Sequence, residues 1–218
     1  MITIGIALAL MIPGPATEPP TEGGVDSVWV LIDASGEAED QDHEKEILRR
    51  AETLARAALD GHEDDVPRLY ALAAVLGLRA NVEGGRTKIR VASELSTRLE
   101  EILALDPEHA GARHMLGRLH AAVRRMSRVT RWLATNLLGG DVLKTASWAE
   151  AEENLLFAEQ HAPEVLDHHL QLALLYRDTD RPDLALAEIT HVMDLQASSV
   201  RDMTVLEEAQ EVWTALQE

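Results

Sequence analysis

Apolar residues recur with the spacing of an α-helix along almost the whole chain from Asp42 onward. In the first segment, residues 43–60, they lie three and four positions apart, and Gly61 follows the last of them. This spacing places them on one face of a helix, and a glycine commonly ends such a helix. No alternating, strand-like pattern interrupts the series. We therefore predict an all-α protein with further helices at 65–81, 86–105, 108–137, 147–161, 164–178, 182–195 and 199–216.

The composition agrees with packing of helix on helix. Hydrophobic residues make up 46% of the 218 residues, but only seven residues are Phe, Tyr or Trp. A core of Ala, Leu, Ile, Val and Met favours helices over sheets. The chain contains no cysteine, which excludes disulfides, cysteine-ligated zinc and a cysteine nucleophile. We expect an ordinary buried core to stabilise the fold.

The order of small and large residues repeats between helix pairs. In residues 166–197, Ala173 precedes Tyr176 on one helix, and Ala185 precedes Ile189 on the next. Two helices approach closely only where the side chain between them is small, and a bulky residue fills the space beside it. This order resembles the tetratricopeptide repeat (TPR). Two more units share it, one with Leu116, Gly117, Ala151, Leu155 and Ala158, the other with Leu72, Ala73, Leu95, Leu99 and Ile102.

The middle unit is interrupted, because residues 121–146 separate its two halves. A solenoid also needs terminal helices that present a polar face to water. We therefore predict a TPR-like α-solenoid of antiparallel helix pairs over residues 42–218. It would contain a helical insertion at 121–146 and end with a capping helix at 199–218.

The N-terminal residues 2–12 form an apolar run that is too short to span a bilayer, which takes about 18 residues or more. The run fits the apolar region of a signal peptide, although no Lys or Arg precedes it; a buried strand or a misplaced start codon is the alternative. If residues 1–16 are a signal, cleavage near Ala16 would make the protein periplasmic or exported, and otherwise it would be cytoplasmic. Residues 17–41 are interpreted as a linker with a short element near Trp29.

Four segments resemble the regulator of microtubule dynamics family, and the similarity covers roughly residues 43–197. It implies a non-enzymatic, all-helical TPR-like protein. The acidic, Ala-rich composition suggests a bacterial relative, for which tubulin is not the expected partner. The segments are Asp106-Pro107-Glu108-His109-Ala110-Gly111-Ala112-Arg113-His114-Met115-Leu116-Gly117-Arg118, Trp132-Leu133-Ala134, Leu138-Gly139-Gly140 and Ser147-Trp148-Ala149-Glu150-Ala151.

The charge of the chain is unevenly distributed. The net charge is −18, which argues against nucleic acid as a partner because each phosphate contact needs a cation. Residues 110–146, however, contain seven basic residues and one acidic residue. In the predicted helix 108–137, four arginines lie beside the apolar stripe of Val123, Met126, Val129, Leu133 and Leu137. We interpret this face as a docking surface for an acidic partner segment; the alternatives are anionic lipid or pairing with the protein's own carboxylates.

The repeat register predicts a concave groove lined by first-helix residues one turn apart. Tyr70 and Ala74 occupy these positions in the first unit, which disfavours binding of a terminal carboxylate. The middle and last units offer basic and apolar side chains that suit an acidic peptide. With the insertion, the predicted protein-binding residues are His114, Arg118, Arg124, Arg125, Arg128, Arg131, Leu170, Leu174 and Arg177.

Motifs for catalysis and cofactor binding are missing from the sequence. His114 and His120 lie six residues apart, on opposite faces of a helix, and no H-E-x-x-H motif occurs, so no metal is predicted. Gly84-Gly85 follows a predicted helix, whereas a phosphate-binding loop must follow a strand. We expect a non-enzymatic interaction scaffold without a cofactor, and the alternatives are a membrane-peripheral structural protein or a small-molecule binder. One chain specifies neither the partner nor the oligomeric state.

Overall fold

A computed structural model describes residues 24–127, 131, 135 and 142–217. Within these residues every regular element is helical, which confirms the all-α class. Among the described residues, a single helical turn, Val142–Thr145, accompanies nine longer helices. They are α1 (Val25–Gly36), α2 (Gln41–Leu59), α3 (Val66–Val82), α4 (Gly85–Leu105), α5 (Ala110–Arg125), α6 (Trp148–His161), α7 (Leu166–Asp178), α8 (Pro182–Asp194) and α9 (Val200–Leu216).

The helices pack as adjacent pairs within two compact units, as expected of an α-solenoid. Described residues 24–107 form the first unit and those from 108 onward the second. In the first unit, α2 packs against α1 and α3, and α3 packs against α4. In the second unit, α6 packs against α5 and α7, and α7, α8 and α9 pack against one another. The TPR register, the insertion and the cap remain predictions.

Short polar residues begin several helices. The Asp65 carboxylate accepts a hydrogen bond from a backbone N–H in the first turn of α3, and Pro67 follows in that turn. Ser147 caps α6 in the same way. At α9, Ser199 and Asp202 form a reciprocal capping box, in which each side chain accepts from the other residue's backbone N–H. Such caps satisfy backbone donors that have no partner inside the helix.

The first helix replaces part of the linker predicted at residues 17–41, which included a short element near Trp29. Residues Val25–Gly36 form α1, and Val28 and Ile32 on it are completely buried. The Trp29 ring lies 6.2 Å from the Tyr70 ring, centroid to centroid. In the sequence, two apolar residues four positions apart are too short a pattern to predict a full helix, especially next to a segment rich in Gly, Pro and Glu.

The long helix predicted at 108–137 is also corrected, because α5 ends at Arg125. Met126 adopts an extended conformation with ψ 141°, and its N–H donates to the Val123 carbonyl. The Ser127 carbonyl then accepts from the Arg131 N–H at 2.9 Å. A serine disfavours a helix interior because its hydroxyl competes for backbone groups. Arg128, Val129, Leu133 and Leu137 lie outside the described residues.

Close helix crossing at small residues occurs where the sequence predicts it. A Cβ atom added to Gly117 on α5 would lie 2.7 Å from Leu155 Cγ and 2.9 Å from the Ala151 carbonyl oxygen on α6. Ala151 and Ala158 are completely buried. A separate apolar core joins α7, α8 and α9 and consists of Leu166, Leu170, Ala173, Leu174, Ile189, Val192, Val205, Ala209 and Val212.

Candidate functional site

A buried polar cluster joins α5 to α7 in the second unit. His114 and Arg118 lie one turn apart on α5, so that both side chains reach Asp167 in the first turn of α7. The Asp167 Oδ2 atom lies 2.6 Å from Arg118 Nη1 and 3.1 Å from His114 Nε2. All three residues are buried, with at most 3% of their surface exposed. The carboxylate also benefits from its place at a helix N-terminus.

Asp167 is held as a charged group. Burial raises the pKa of this carboxyl, but the Arg118 guanidinium and the His114 hydrogen bond outweigh burial and hold the pKa well below its usual range. The second oxygen, Oδ1, accepts from Gln171 Nε2 at 2.9 Å. Both oxygens therefore have donors, which is the condition for a tolerable buried carboxylate.

Two histidines beside the ion pair are neutral. Burial lowers the pKa of His114 below its ordinary value, and Arg118 acts in the same direction. Burial lowers the pKa of His168 to about 3, and repulsion from His114, were that ring protonated, acts in the same direction. The two rings lie 4.6 Å apart, and His168 Nδ1 lies 3.2 Å from the Ala162 carbonyl oxygen, to which a neutral ring donates. Among the described residues, His114 Nδ1 has no hydrogen-bond partner.

The helix α9 contributes Glu208 to the surroundings of this cluster. Burial, and then the Asp167 charge, raise the pKa of Glu208 above its usual value. The cluster thus joins α5 to α7, and its field reaches α9, where Asp167 and Arg118 act on Glu208 in opposite directions. The described residues contain no group of three or more His, Asp or Glu side chains placed to hold a metal ion.

Near the end of α5, two arginines share one carboxylate. Arg125 Nε lies 2.5 Å from Asp178 Oδ2, and Arg177 Nη2 lies 3.3 Å from Asp178 Oδ1. The Arg125 Nη2 atom is buried without a hydrogen-bond partner among the described residues, and so is Nε of the neighbouring Arg124. We call Arg124, Arg125, Arg177 and Asp178 the arginine patch. It carries more positive than negative charge.

The remaining predicted binding residues fall into two groups. Leu170 and Leu174 are buried in the core between α7, α8 and α9, and His114 and Arg118 are buried on Asp167, so these four do not line an open groove. Burial of the leucines removes apolar surface from water, and the buried His114 and Arg118 are tolerated because both pair with Asp167. Arg131 is partly exposed and donates from Nη1 to the Val123 carbonyl at 3.4 Å. Arg128 lies outside the described residues.

Tyr70 and Ala74, the first-unit positions of the predicted groove, are buried as well. Burial raises the pKa of the Tyr70 hydroxyl well above its ordinary value. The side chain serves the core of the first unit, where its ring packs near Trp29.

Ionic contacts that sequence reasoning missed lie on α6 to α8. Arg181 forms a bidentate pair with Glu152 at 2.7 and 2.9 Å, and its guanidinium lies 4.6 Å from the Tyr176 ring centroid. His169 Nδ1 lies 2.8 Å from Glu188 Oε2. Burial lowers the pKa of His169, but Glu188, the Pro163 carbonyl and Glu159 together raise it more, and the net shift is upward. These partners lie far apart in sequence, so spacing alone gave no signal for them.

The first unit has its own ionic network on α2, α3 and α4. Glu52 pairs with both Arg56 and Arg79, and Arg56 also pairs with Glu94 at 2.7 Å. Arg79 pairs further with Glu83. A cavity of about 430 Å³ opens beside this network and is lined by Arg56, Ala57, Leu59, Asp60, Glu63, Leu72 and Arg98.

Comparison with protein families identifies the chain. The family model for regulator of microtubule dynamics protein 1-3 matches residues 28–217. The chain belongs to this family. The match includes both units and almost all of α1, which the sequence resemblance over 43–197 did not reach. No curated protein matches the chain individually. Within the described residues, no helix of this family member combines the length and apolarity needed to cross a membrane.

Proposed function

We propose that this family member is a non-enzymatic scaffold that binds an acidic segment of a partner protein. Family membership and the helix-pair architecture are compatible with a protein-interaction role. The observation that carries the proposal is the arginine patch. Its one carboxylate, Asp178, is shared by Arg125 and Arg177, so the three arginines leave a net charge of +2 and two carboxylates of a partner would restore local neutrality.

The proposed contact surface differs from the set predicted from sequence. Arg124 and Arg177 are accessible, since Arg124 is partly exposed and 38% of the Arg177 side chain is exposed. Arg128 and Arg131, which follow α5, extend the same positive segment. Arginine suits this task because its planar fork pairs with carboxylates through two parallel hydrogen bonds. His114 and Arg118 act indirectly, by fixing α5 against α7.

Affinity capture with mass spectrometry, using the chain as bait in lysate of its source cells, tests this proposal. The variant Arg124→Glu/Arg177→Glu reverses two patch charges and leaves the buried Arg118–Asp167 pair intact. The matched control, Arg50→Glu/Arg90→Glu, makes the same charge change at exposed residues of the first unit. We expect partners enriched in acidic segments, lost from the patch variant and kept by the control.

Equal capture by both variants would remove the patch from the binding surface. Circular dichroism of both variants checks that the helices persist. Flotation of the wild type with anionic vesicles, without protein capture, would instead assign the patch to lipid headgroups.

A further inference from the structure

A second, chemically opposite surface lies between α8 and α9 in the second unit. Met193 on α8 and Trp213 on α9 expose 44% and 39% of their surface. With Thr190, Asp194 and Gln210 they line a depression of about 260 Å³. Its volume lies below the range of about 300–1,000 Å³ that is typical of sites for drug-sized ligands. It suits a single bulky side chain better than a whole small molecule.

The exposed apolar stripe continues along both helices. Leu186 lies one turn before Thr190 on α8, and Met203 lies two turns before Gln210 on α9; both are exposed. The buried core of this unit is built from neighbouring positions on the same two helices, such as Ile189 and Val212. The exposed parts of the stripe are not covered by the described residues of the chain. Methionine and tryptophan are typical of surfaces that bind helices, because the first adapts its shape and the second buries a large area.

The charge around the stripe selects the partner. Residues 182–216 contain seven carboxylates and one basic residue, Arg201. Two of these carboxylates are engaged elsewhere, Glu188 on His169 and Asp202 in the α9 cap. Asp194, Glu207 and Glu211 are exposed, the first lining the depression and the other two flanking Gln210 in sequence.

We infer that the α8–α9 groove, defined as Leu186, Thr190, Met193, Asp194, Met203, Gln210 and Trp213, binds a cationic amphipathic helix of a partner protein. Apolar side chains of that helix, spaced three and four residues apart, fill the depression and cover the stripe. Its Lys and Arg side chains pair with Asp194, Glu207 and Glu211. This site is separate from the arginine patch and goes beyond the proposed function, since it selects the opposite charge.

A synthetic peptide tests the groove directly. The probe is a helix of about 18 residues with Leu at positions three and four apart and Lys elsewhere, and a scrambled peptide of equal composition is its control. Isothermal titration of the full chain is expected to show saturable one-to-one binding of the amphipathic peptide, at least tenfold tighter than the scrambled one. Equal binding of the two peptides would overturn the inference.

Two pairs of variants locate the binding. Met193→Ala/Trp213→Ala is expected to weaken the amphipathic peptide at least tenfold, whereas Leu184→Ala, at an exposed leucine of α8 outside the groove, leaves it unchanged. Glu207→Lys/Glu211→Lys should weaken peptide binding and reduce the dependence of affinity on salt. Its control, Glu153→Lys/Glu164→Lys, changes the net charge equally at exposed positions and should have a smaller effect on both. Circular dichroism confirms folding of each variant.

Two results would contradict the inference. One is full peptide affinity in Met193→Ala/Trp213→Ala. The other is a concentration-dependent dimer in sedimentation that this variant abolishes, because a second copy would then occupy the groove. Arg124→Glu/Arg177→Glu should keep full peptide affinity, so failure of the proposed function and failure of this inference are distinguishable.

Discussion

Both units join their helices through ionic clusters, but the two clusters differ in how their charges are paired and buried. In the first unit each arginine of the network pairs with two carboxylates: Arg56, whose side chain is 41% exposed, with Glu52 and Glu94, and Arg79, 9% exposed, with Glu52 and Glu83. In the second unit, one carboxylate, Asp167, is completely enclosed with Arg118 and His114. Exposed pairs are screened by water and contribute little, whereas breaking a buried pair leaves an uncompensated charge in the interior. The second unit should therefore depend more strongly on one carboxylate, Asp167, because each first-unit arginine keeps a second carboxylate when Glu83 or Glu94 is removed.

Replacing Asp167 should give the largest effect. Asp167→Asn removes the charge that compensates Arg118, and we expect a loss of about 3–5 kcal/mol in the free energy of unfolding. Urea denaturation followed by circular dichroism measures this loss. Asp167→Leu/Arg118→Met removes both charges and should recover a large part of it. A loss below about 1 kcal/mol for the single variant would show that the cluster is no more important than a surface pair.

Overpacking the α5–α6 crossing tests whether tight packing accompanies the buried cluster. Gly117→Ala forces its new Cβ against Leu155 and the Ala151 backbone, and we expect a loss of up to about 3 kcal/mol. The control is Gly36→Ala, where an added Cβ meets nothing within 4 Å. Thermal unfolding should show a lower Tm for the first variant and little change for the second. Similar Tm values would mean that α5 shifts easily on α6.

Mild acid should weaken the second unit. The pKa of His168 is lowered to about 3 and that of His114 is also lowered, so the unfolded chain binds protons first as the pH falls below about 6.5. The stability that neutral histidines provide is present above that pH and declines toward the folded pKa values. We expect a loss on the order of 2 kcal/mol from His168 by pH 5. His169, with a raised pKa, offsets part of this, since its contribution is present at low pH and lost as the pH rises through the folded pKa.

Amide exchange resolves this acid effect by unit. Protection factors in α5 and α7 should fall between pH 7 and pH 5, while those in α2 and α3 change less. The pKa of Glu52 in the first unit is lowered, because its arginine partners outweigh burial, so its contribution is lost only as the pH falls below about 4.5. Equal losses of amide protection in both units at pH 5 would contradict the expected difference between the two units.

The smallest effect is expected in the first-unit network. Glu94→Gln removes one of the two carboxylates that pair with Arg56, and we expect a change below about 1 kcal/mol because Arg56 is partly exposed and keeps Glu52. Urea denaturation in low and high salt is the measurement. A loss as large as that of Asp167→Asn would mean that exposure does not distinguish the two clusters.

Sequence reasoning predicted local features and missed contacts between distant residues. Gly117, Ala151 and Leu155 were recognised as packing positions because helix crossing requires small residues at fixed spacing. Asp167 was not recognised, because its partners lie 49 and 53 residues away and nothing in the sequence pairs them. Leu170 and Leu174 were assigned to a groove because the register places them on the first helix, while their burial depends on α9.

The helix end at Arg125 illustrates the same limit. Neither proline nor glycine follows, and the apolar stripe continues in the sequence, so periodicity predicted a longer helix. The arginine patch depends on that end, because Arg125 there reaches Asp178, 53 residues away. The excess of basic residues was visible in the sequence, whereas the pairing of Arg125 and Arg177 with one carboxylate, Asp178, was not.

Binding of a labelled acidic peptide tests the central claim most directly. Fluorescence anisotropy of a Glu-rich peptide of about 12 residues should show saturable binding to the wild-type chain that weakens as salt rises. We predict that Arg124→Glu/Arg177→Glu weakens this binding at least tenfold, about 1.4 kcal/mol, and that Arg50→Glu/Arg90→Glu leaves it unchanged. Equal affinities of the two variants for the peptide would contradict the account.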